Sequence, residues 1–264
     1  VYEPEAEPPK RLRFGTPVHG AGAYQVAYSP DGKLIATCGE KVAKVLVAPN
    51  QDGPNTDRVG YRFNEFIGHG GLVTTVAFSR DGKYVATGCN DSVIRVWDVA
   101  ASNKLVRSFH GHDGEVVDLK FSPDGEFLAS ASMDQNIRFW NMQPSDPHRN
   151  FAGHTGSVWS AAARPDGKQL ASGGADRKVI LWDAATAKPQ RTLDGHRLPV
   201  TTVLYSPDGK FVLSAGGDKL LKLWDSESGA AVRDFAGHEA AVMAASFNGD
   251  GTVIVSGGAD RLVK

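Results

Sequence analysis

The sequence predicts an all-β fold assembled from repeated four-stranded antiparallel units. Three observations predict it: a motif that returns about every 42 residues, short β-forming runs parted by turn residues inside each period, and no helical hydrophobic period between them.

The period is set by Gly-His pairs at Gly68-His69, Gly111-His112, Gly153-His154, Gly195-His196 and Gly237-His238, with successive histidines 43, 42, 42 and 42 residues apart. Twelve residues after each His stands the Asp of an Asp-Gly pair: Asp81, Asp124, Asp166, Asp208 and Asp250. Twenty-eight residues after four of these histidines stands Trp97, Trp140, Trp182 or Trp224, followed by Asp98, Asn141, Asp183 or Asp225. Counting back from Asp31 makes His19 the matching residue of a degenerate first repeat, in which Val18 replaces the Gly and Val47-Ala48 the Trp-Asp. Six repeats are visible, starting near 19, 69, 112, 154, 196 and 238; the last is truncated, because its Trp would fall two residues past Lys264.

Inside a repeat the pattern is strand-like. Residues 73–78 (VTTVAF), 83–87 (KYVAT) and 93–97 (VIRVW) are rich in β-branched and aromatic residues, and Asp81-Gly82 supplies a hairpin turn between the first two. A fourth run, 104–109, precedes the next Gly-His. Four short strands per repeat describe one blade of a β-propeller.

Gly-His, an Asp six residues before Trp, and a terminal Trp-Asp at fixed spacing resemble the WD-repeat (β-transducin-like) family over residues 19 to 264. The resemblance implies a β-propeller of four-stranded antiparallel blades across 12–264, part of a ring that is usually seven-bladed. It also implies a buried hydrogen-bonded chain in each repeat from Trp through a hydroxyl to His and Asp. The sets are His69, Thr87, Asp91 and Trp97; His112, Ser130, Asp134 and Trp140; His154, Ser172, Asp176 and Trp182; and His196, Ser214, Asp218 and Trp224, with His238, Ser256 and Asp260 in the last repeat.

Ser, His and Asp together invite comparison with a hydrolase triad. A nucleophile is built once, in one cleft. This trio returns in every clear repeat, as stabilising contacts must in a repeat architecture, so no catalytic residue is expected. The six repeat histidines would stand one per blade, too far apart to share a metal; His110 and His148 read as surface residues. The chain has no phosphate loop, paired-carboxylate signature or Cys-x-x-Cys, and neither cofactor nor metal is expected.

Lys plus Arg, 29, nearly cancels Asp plus Glu, 30, which leaves no net positive field to hold a phosphate backbone, so no nucleic-acid partner is expected. No stretch approaches a membrane span, and the N-terminus lacks the features of a signal peptide. No membrane partner is expected, and a cytoplasmic location is. Cys38 and Cys89 are too few for a disulfide framework and read as free thiols.

Departures from the repeat carry their own expectations. In the first repeat Lys41 replaces the network Asp beside Thr37 and His19, so this blade is expected to hold by hydrophobic packing alone and to be the least stable. Pro49 to Gly60 reads as a loop insertion, and residues 1–11, rich in Glu and Pro, as a flexible segment. By the resemblance, Leu12 to Pro17 would supply a ring-closing outer strand, and the natural chain is expected to continue past Lys264 to complete a seventh blade.

The resemblance also implies that the first inner-strand residue of each blade, five after the His, points into the channel mouth where partners bind: Tyr24, Thr74, Val117, Trp159, Thr201 and Met243. The residues before the network Asp, namely Glu40, Asn90, Met133, Ala175, Gly217 and Ala259, share the rim. Tyr24, Trp159 and Met243 are of the kind enriched where proteins bind; the alternative for Trp159 and Met243 is packing between blades. The mouth set is neutral and mostly apolar apart from Glu40, so no small-molecule substrate is expected. The expected function is a non-catalytic scaffold or adaptor that binds other proteins or peptides. The alternative is a docking or sensory propeller of a larger enzyme, such as a kinase or redox protein, whose catalytic part lies elsewhere.

Overall fold

The computed structural model describes residues 19–20, 22–48, 62–101, 104–143 and 149–264; the expectations for 1–11, 12–17, the insertion at 49–60 and His148 lie outside them. The described residues form 22 strands and no helix. Sheet 1 contains β1 (Gln25–Tyr28), β2 (Leu34–Gly39), β3 (Val42–Val47) and β4 (Arg62–Ile67). Sheet 2 contains β5 (Val73–Phe78), β6 (Tyr84–Cys89), β7 (Ile94–Asp98) and β8 (Leu105–Phe109). Sheet 3 contains β9 (Val116–Phe121), β10 (Phe127–Ser132), β11 (Ile137–Asn141) and β12 (Arg149–Phe151). Sheet 4 contains β13 (Val158–Ala163), β14 (Gln169–Gly174), β15 (Val179–Asp183) and β16 (Pro189–Leu193). Sheet 5 contains β17 (Val200–Tyr205), β18 (Phe211–Gly216), β19 (Leu221–Asp225) and β20 (Ala231–Phe235). Sheet 6 pairs β21 (Val242–Phe247) with β22 (Ile254–Gly258), and Val263 adds a single antiparallel bridge to Gly257. Five sheets are four-stranded antiparallel meanders in sequence order, the blades of a β-propeller.

Hairpin chemistry explains the spacing of the inner strands. In sheet 2 the Gly82 N–H donates to the Ser79 carbonyl at 2.9 Å, and Gly82 takes the left-handed φ of 70° that a β-carbon would resist. Asp81 locks the turn by accepting from the Ser79 hydroxyl and the Lys83 N–H.

The core lies between sheets. Each buried cluster draws on two consecutive sheets: Val45 and Phe66 of sheet 1 pack with Val73 and Trp97 of sheet 2, and Leu181 of sheet 4 with Val203 and Trp224 of sheet 5. The second strand of each of the first five sheets is buried almost throughout and is built from small residues, as in QLASGG and YVATGC. Close approach is the reason. A β-carbon at Gly173 would sit 2.5 Å from Val200 Cγ1 of the next sheet.

Polar clamps stitch the inner strands, whose outer N–H groups would otherwise face the channel unpaired. Gln25 of sheet 1 accepts from the Val76 N–H and the Thr75 hydroxyl of sheet 2, both at 2.7 Å. Asp118 of sheet 3 accepts from the Ala161 N–H of sheet 4 at 3.1 Å, and the Ser160 hydroxyl accepts from the Val203 N–H of sheet 5 at 3.1 Å. Sequence reading did not single out these residues.

Sheet 1 corrects one expectation. It keeps the His19 to Thr37 bond at 3.1 Å and gains a Lys44 to Glu65 ion pair at 3.3 Å, so hydrophobic packing does not hold it alone. The reason is that the hydroxyl bond needs only strand register, which Lys41 and Val47 leave intact.

Asp118 accepts from the Leu119 N–H of its own strand as well as from the Ala161 N–H of sheet 4. Asp118→Ala is expected to lower stability by about 2–3 kcal/mol, the loss of a charge-assisted bond with a buried N–H left unpaired, and Asp118→Asn by less than half as much, measured by thermal unfolding. Equal losses would show that charge, and not acceptor geometry, matters there.

Candidate functional site

At the end of each sheet opposite the Asp-Gly hairpins, the loop before the inner strand meets the loop between the second and third strands. The polar network ties them. In sheet 4 the Trp182 indole N–H donates to the Ser172 hydroxyl at 2.8 Å, Ser172 bonds His154 Nε2 at 2.7 Å, and His154 Nδ1 bonds Asp176 at 2.8 Å. The Asp176 carboxylate then accepts the backbone N–H groups of Thr155 and Lys178 at 3.0 and 3.2 Å, joining both loops. Because the Asp176 carboxylate can only accept, Nδ1 carries the ring proton, Nε2 is the acceptor and the Ser172 hydroxyl donates to it.

Sheets 3 and 5 repeat the pattern through Trp140, Ser130, His112 and Asp134, and through Trp224, Ser214, His196 and Asp218. Sheet 6 joins His238 to Ser256 and Asp260 at 2.9 and 2.8 Å. Thr87, Ser130, Ser172 and Ser214 have no exposed surface, which closes them to any substrate.

Sheet 2 departs from the expected quartet. Trp97, Thr87 and His69 connect at 2.9 and 2.8 Å, but Asp91 pairs with Arg95 at 2.9 Å, and His69 Nδ1 makes no bond to it. Arg95 competes for the carboxylate from one turn of sequence away and wins, since it carries a fixed charge. The result is electrostatic as well as geometric. Burial, aided by the Arg95 charge, lowers the His69 pKa from its ordinary value of 6.5 to about 4. Burial also lowers His154 and His196, against the pull of Asp176 and Asp218. Asp134 ends at about 2: burial raises it, but the bonds from His112 and two backbone N–H groups outweigh that.

All of the expected mouth residues but Tyr24 share a feature absent from the sequence pattern. Each follows a fully buried Val that opens its strand: Val73, Val116, Val158, Val200 or Val242. Pairing then skips a residue: Val73 faces Cys89 while Thr75 faces Gly88, and the same slip recurs at 117, 159, 201 and 243. Thr74, Val117, Trp159, Thr201 and Met243 are therefore β-bulge residues, re-aimed out of the ladder. Tyr24 lies just before β1, where pairing is regular, and its N–H donates to the Cys38 carbonyl at 2.8 Å.

Their side chains differ in use. Thr74 donates to the Val116 carbonyl of sheet 3 and Thr201 to the Val242 carbonyl of sheet 6, so both hydroxyls clamp neighbouring blades. Val117 packs on the core between sheets 3 and 4. Trp159 is half-buried and belongs to no core cluster; among the described residues it is the one Trp whose indole N–H makes no hydrogen bond within the protein. On the rim, Met133 is 46% exposed, Asn90 and Ala259 are exposed, and Glu40, Ala175 and Gly217 are half-buried. Neighbouring loops touch: Val73 N–H donates to the Glu40 carbonyl, and the Ser157 hydroxyl to the Met133 carbonyl at 3.3 Å.

Two further apolar residues belong to the same rim and escaped sequence reading: Leu72 and Leu198, 39% and 50% exposed. Their signal was an apolar side chain in an otherwise Gly-rich or polar loop. Tyr24 and Met243 are more exposed still, but they stand on the first and last sheets, whose outward faces carry exposed Val26, Tyr28, Val253 and Val255 among the described residues. Leu72, Met133, Trp159 and Leu198 stand instead on sheets 2 to 5, each of which has a described sheet on either side. His110, expected at the surface, is exposed.

Comparison with known proteins agrees with this geometry. The family model described as "WD domain, G-beta repeat" matches residues 12–45, 60–98, 103–141, 145–183, 187–225 and 229–264. WD repeat-containing protein 1 of Xenopus tropicalis is 30% identical over 103 residues, 39% of this chain and 16% of that protein. Echinoderm microtubule-associated protein-like 3 of Homo sapiens is 29% identical over 83 residues, 31% of this chain and 9% of that protein. Protein HIR1 of Kluyveromyces lactis is 31% identical over 85 residues, 29% of this chain and 10% of that protein. The matches thus span small parts of much longer relatives.

Two measurements probe the network. Ser172→Ala strands the Trp182 and His154 nitrogens in the core and is expected to cost about 2–4 kcal/mol, whereas Thr37→Val, which strands no Trp, costs less than half of that; urea unfolding compares them. His69 is neutral when folded but takes a proton below pH 6.5 when unfolded, so its contribution is complete above that pH and fades as pH falls towards 4. Between pH 7 and 5 it accounts for about 2 kcal/mol of lost stability, and His69→Asn is expected to flatten the melting temperature across that window. An unchanged slope would assign the loss to other groups.

Proposed function

Because this chain belongs to the WD-repeat family, we propose that it works as a non-catalytic scaffold or adaptor, gripping a protein or peptide at the loop-side mouth of its propeller. WD-repeat proteins act in general as platforms for protein interaction. Trp159 carries the finer reading. It is a large, half-exposed aromatic whose N–H makes no hydrogen bond among the described residues, placed on a β-bulge, and the loops of the neighbouring sheets carry exposed Met133 and Leu198. Tyr and Trp with one apolar face and one polar handle dominate binding hot spots, and a rigid scaffold presenting them loses little entropy on docking.

The quartets support the non-catalytic part of the proposal, because each hydroxyl is consumed by an indole and an imidazole with no room for substrate. We further place the protein in the cytoplasm, a reading supported by the free thiols of Cys38 and Cys89.

Trp159→Ala and Leu198→Ala are each expected to abolish partner capture in an affinity purification while shifting the melting temperature by no more than a few degrees. Lys188→Ala, on the exposed turn before β16, serves as the control that leaves capture intact. Collapse of the melting temperature in Trp159→Ala would reassign that residue to the core and remove the proposal's main support.

A further inference from the structure

Charge is unevenly distributed round the loop-side rim. Sheets 4 and 5 contribute Arg177, Lys178, Arg197 and Lys219, none of which makes an ion pair among the described residues. Of the acids beside them, Asp176 and Asp218 are buried and spent on His154, His196 and backbone N–H groups, which leaves exposed Asp194, in the loop of Arg197, as one acid against four cations. Sheet 3 is the opposite, with Asp113 and Glu115 on its loop. Sheet 6 is mixed, with Glu239 and Arg261, and in sheet 2 Arg95 neutralises Asp91.

The cationic sector coincides with the apolar anchors. Trp159 belongs to sheet 4, and Leu198 lies beside Arg197 in the loop that enters sheet 5. A β-carbon at Gly217 would lie 3.2 Å from Leu198 Cβ, so the loop that carries Lys219 rests against that leucine. Arg177 and Lys219 also hold a left-handed φ of 70°, a conformation that costs a side-chain-bearing residue about 1–2 kcal/mol. Ser92, Gln135 and Arg261 hold the same left-handed φ at the matching place of their own repeats, so the fold fixes the backbone of this tip and leaves the charge of its side chain to vary.

We infer that the ligand of the mouth is a short acidic peptide segment with at least one apolar side chain, laid across sheets 4 and 5. Its apolar residue rests on Trp159 and Leu198, and its carboxylates face Arg177, Lys178, Arg197 and Lys219. The inference rests on the mouth reading above and specifies its partner. Exposed Arg177, Arg197 and Lys219 and half-buried Lys178, beside an apolar anchor, favour anions through complementary potential, and the preference weakens as salt screens it.

The test selects a random-sequence decapeptide display library on the whole chain, and on a triple variant Arg177→Glu, Arg197→Glu, Lys219→Glu whose melting temperature is checked against wild type. The expected result is a wild-type pool enriched in peptides of net negative charge with an apolar residue. A synthetic member of that pool is expected to lose at least tenfold in affinity on the triple variant, to weaken as salt rises from 0.05 to 0.5 M, and to lose binding to Trp159→Ala. Neutral or basic enriched peptides, or acidic ones that bind the triple variant equally well, overturn the charge inference and leave the mouth reading standing if Trp159 is still required. No enrichment, or binding that ignores Trp159→Ala, overturns both.

Discussion

One hydroxyl per blade holds the architecture in place. In sheets 2 to 5 a fully buried Ser or Thr on the second strand accepts the indole N–H from the third strand and bonds the imidazole from the loop before the first. Such an oxygen can be satisfied only when two strands and a loop are all in register. The Asp that completes the chain fastens the second loop to the first, so the same network that stabilises a sheet also shapes the loop-side rim. Rigidity of the rim is thus a by-product of core chemistry.

Blade-to-blade cohesion has a different origin. Apolar faces meet between sheets, and small residues on the second strands let them approach closely. The N–H groups along the channel edge are then met by whichever polar side chain the preceding blade offers: an amide at Gln25, a carboxylate at Asp118, a hydroxyl at Ser160. Three chemistries serve one geometric need, which is why no periodic residue marks it.

The β-bulge links structure to recognition. One skipped residue in each inner strand of sheets 2 to 6 frees a side chain from the ladder, and what stands there decides its use. Thr74 and Thr201 turn back to clamp a neighbour, whereas the Trp159 indole N–H makes no hydrogen bond among the described residues. The chain varies function at a position whose backbone is fixed by the fold.

Fold class, the six repeats, the strand and hairpin order and the members of most quartets were legible in the sequence, because each depends on local spacing: turn residues every period, alternation within strands, and one Trp, hydroxyl, His and Asp at constant offsets. What sequence alone could not supply arises between distant segments. The loss of the His69 to Asp91 bond depends on where the Arg95 guanidinium reaches, and the clamps at Gln25, Asp118 and Ser160 on a strand that lies about one repeat away. The exposure of Leu72 and Leu198 is set by neighbouring loops. Local periodicity determined the blades of this protein; only their packing against one another decided which side chains were consumed by the fold and which remained at the surface to bind.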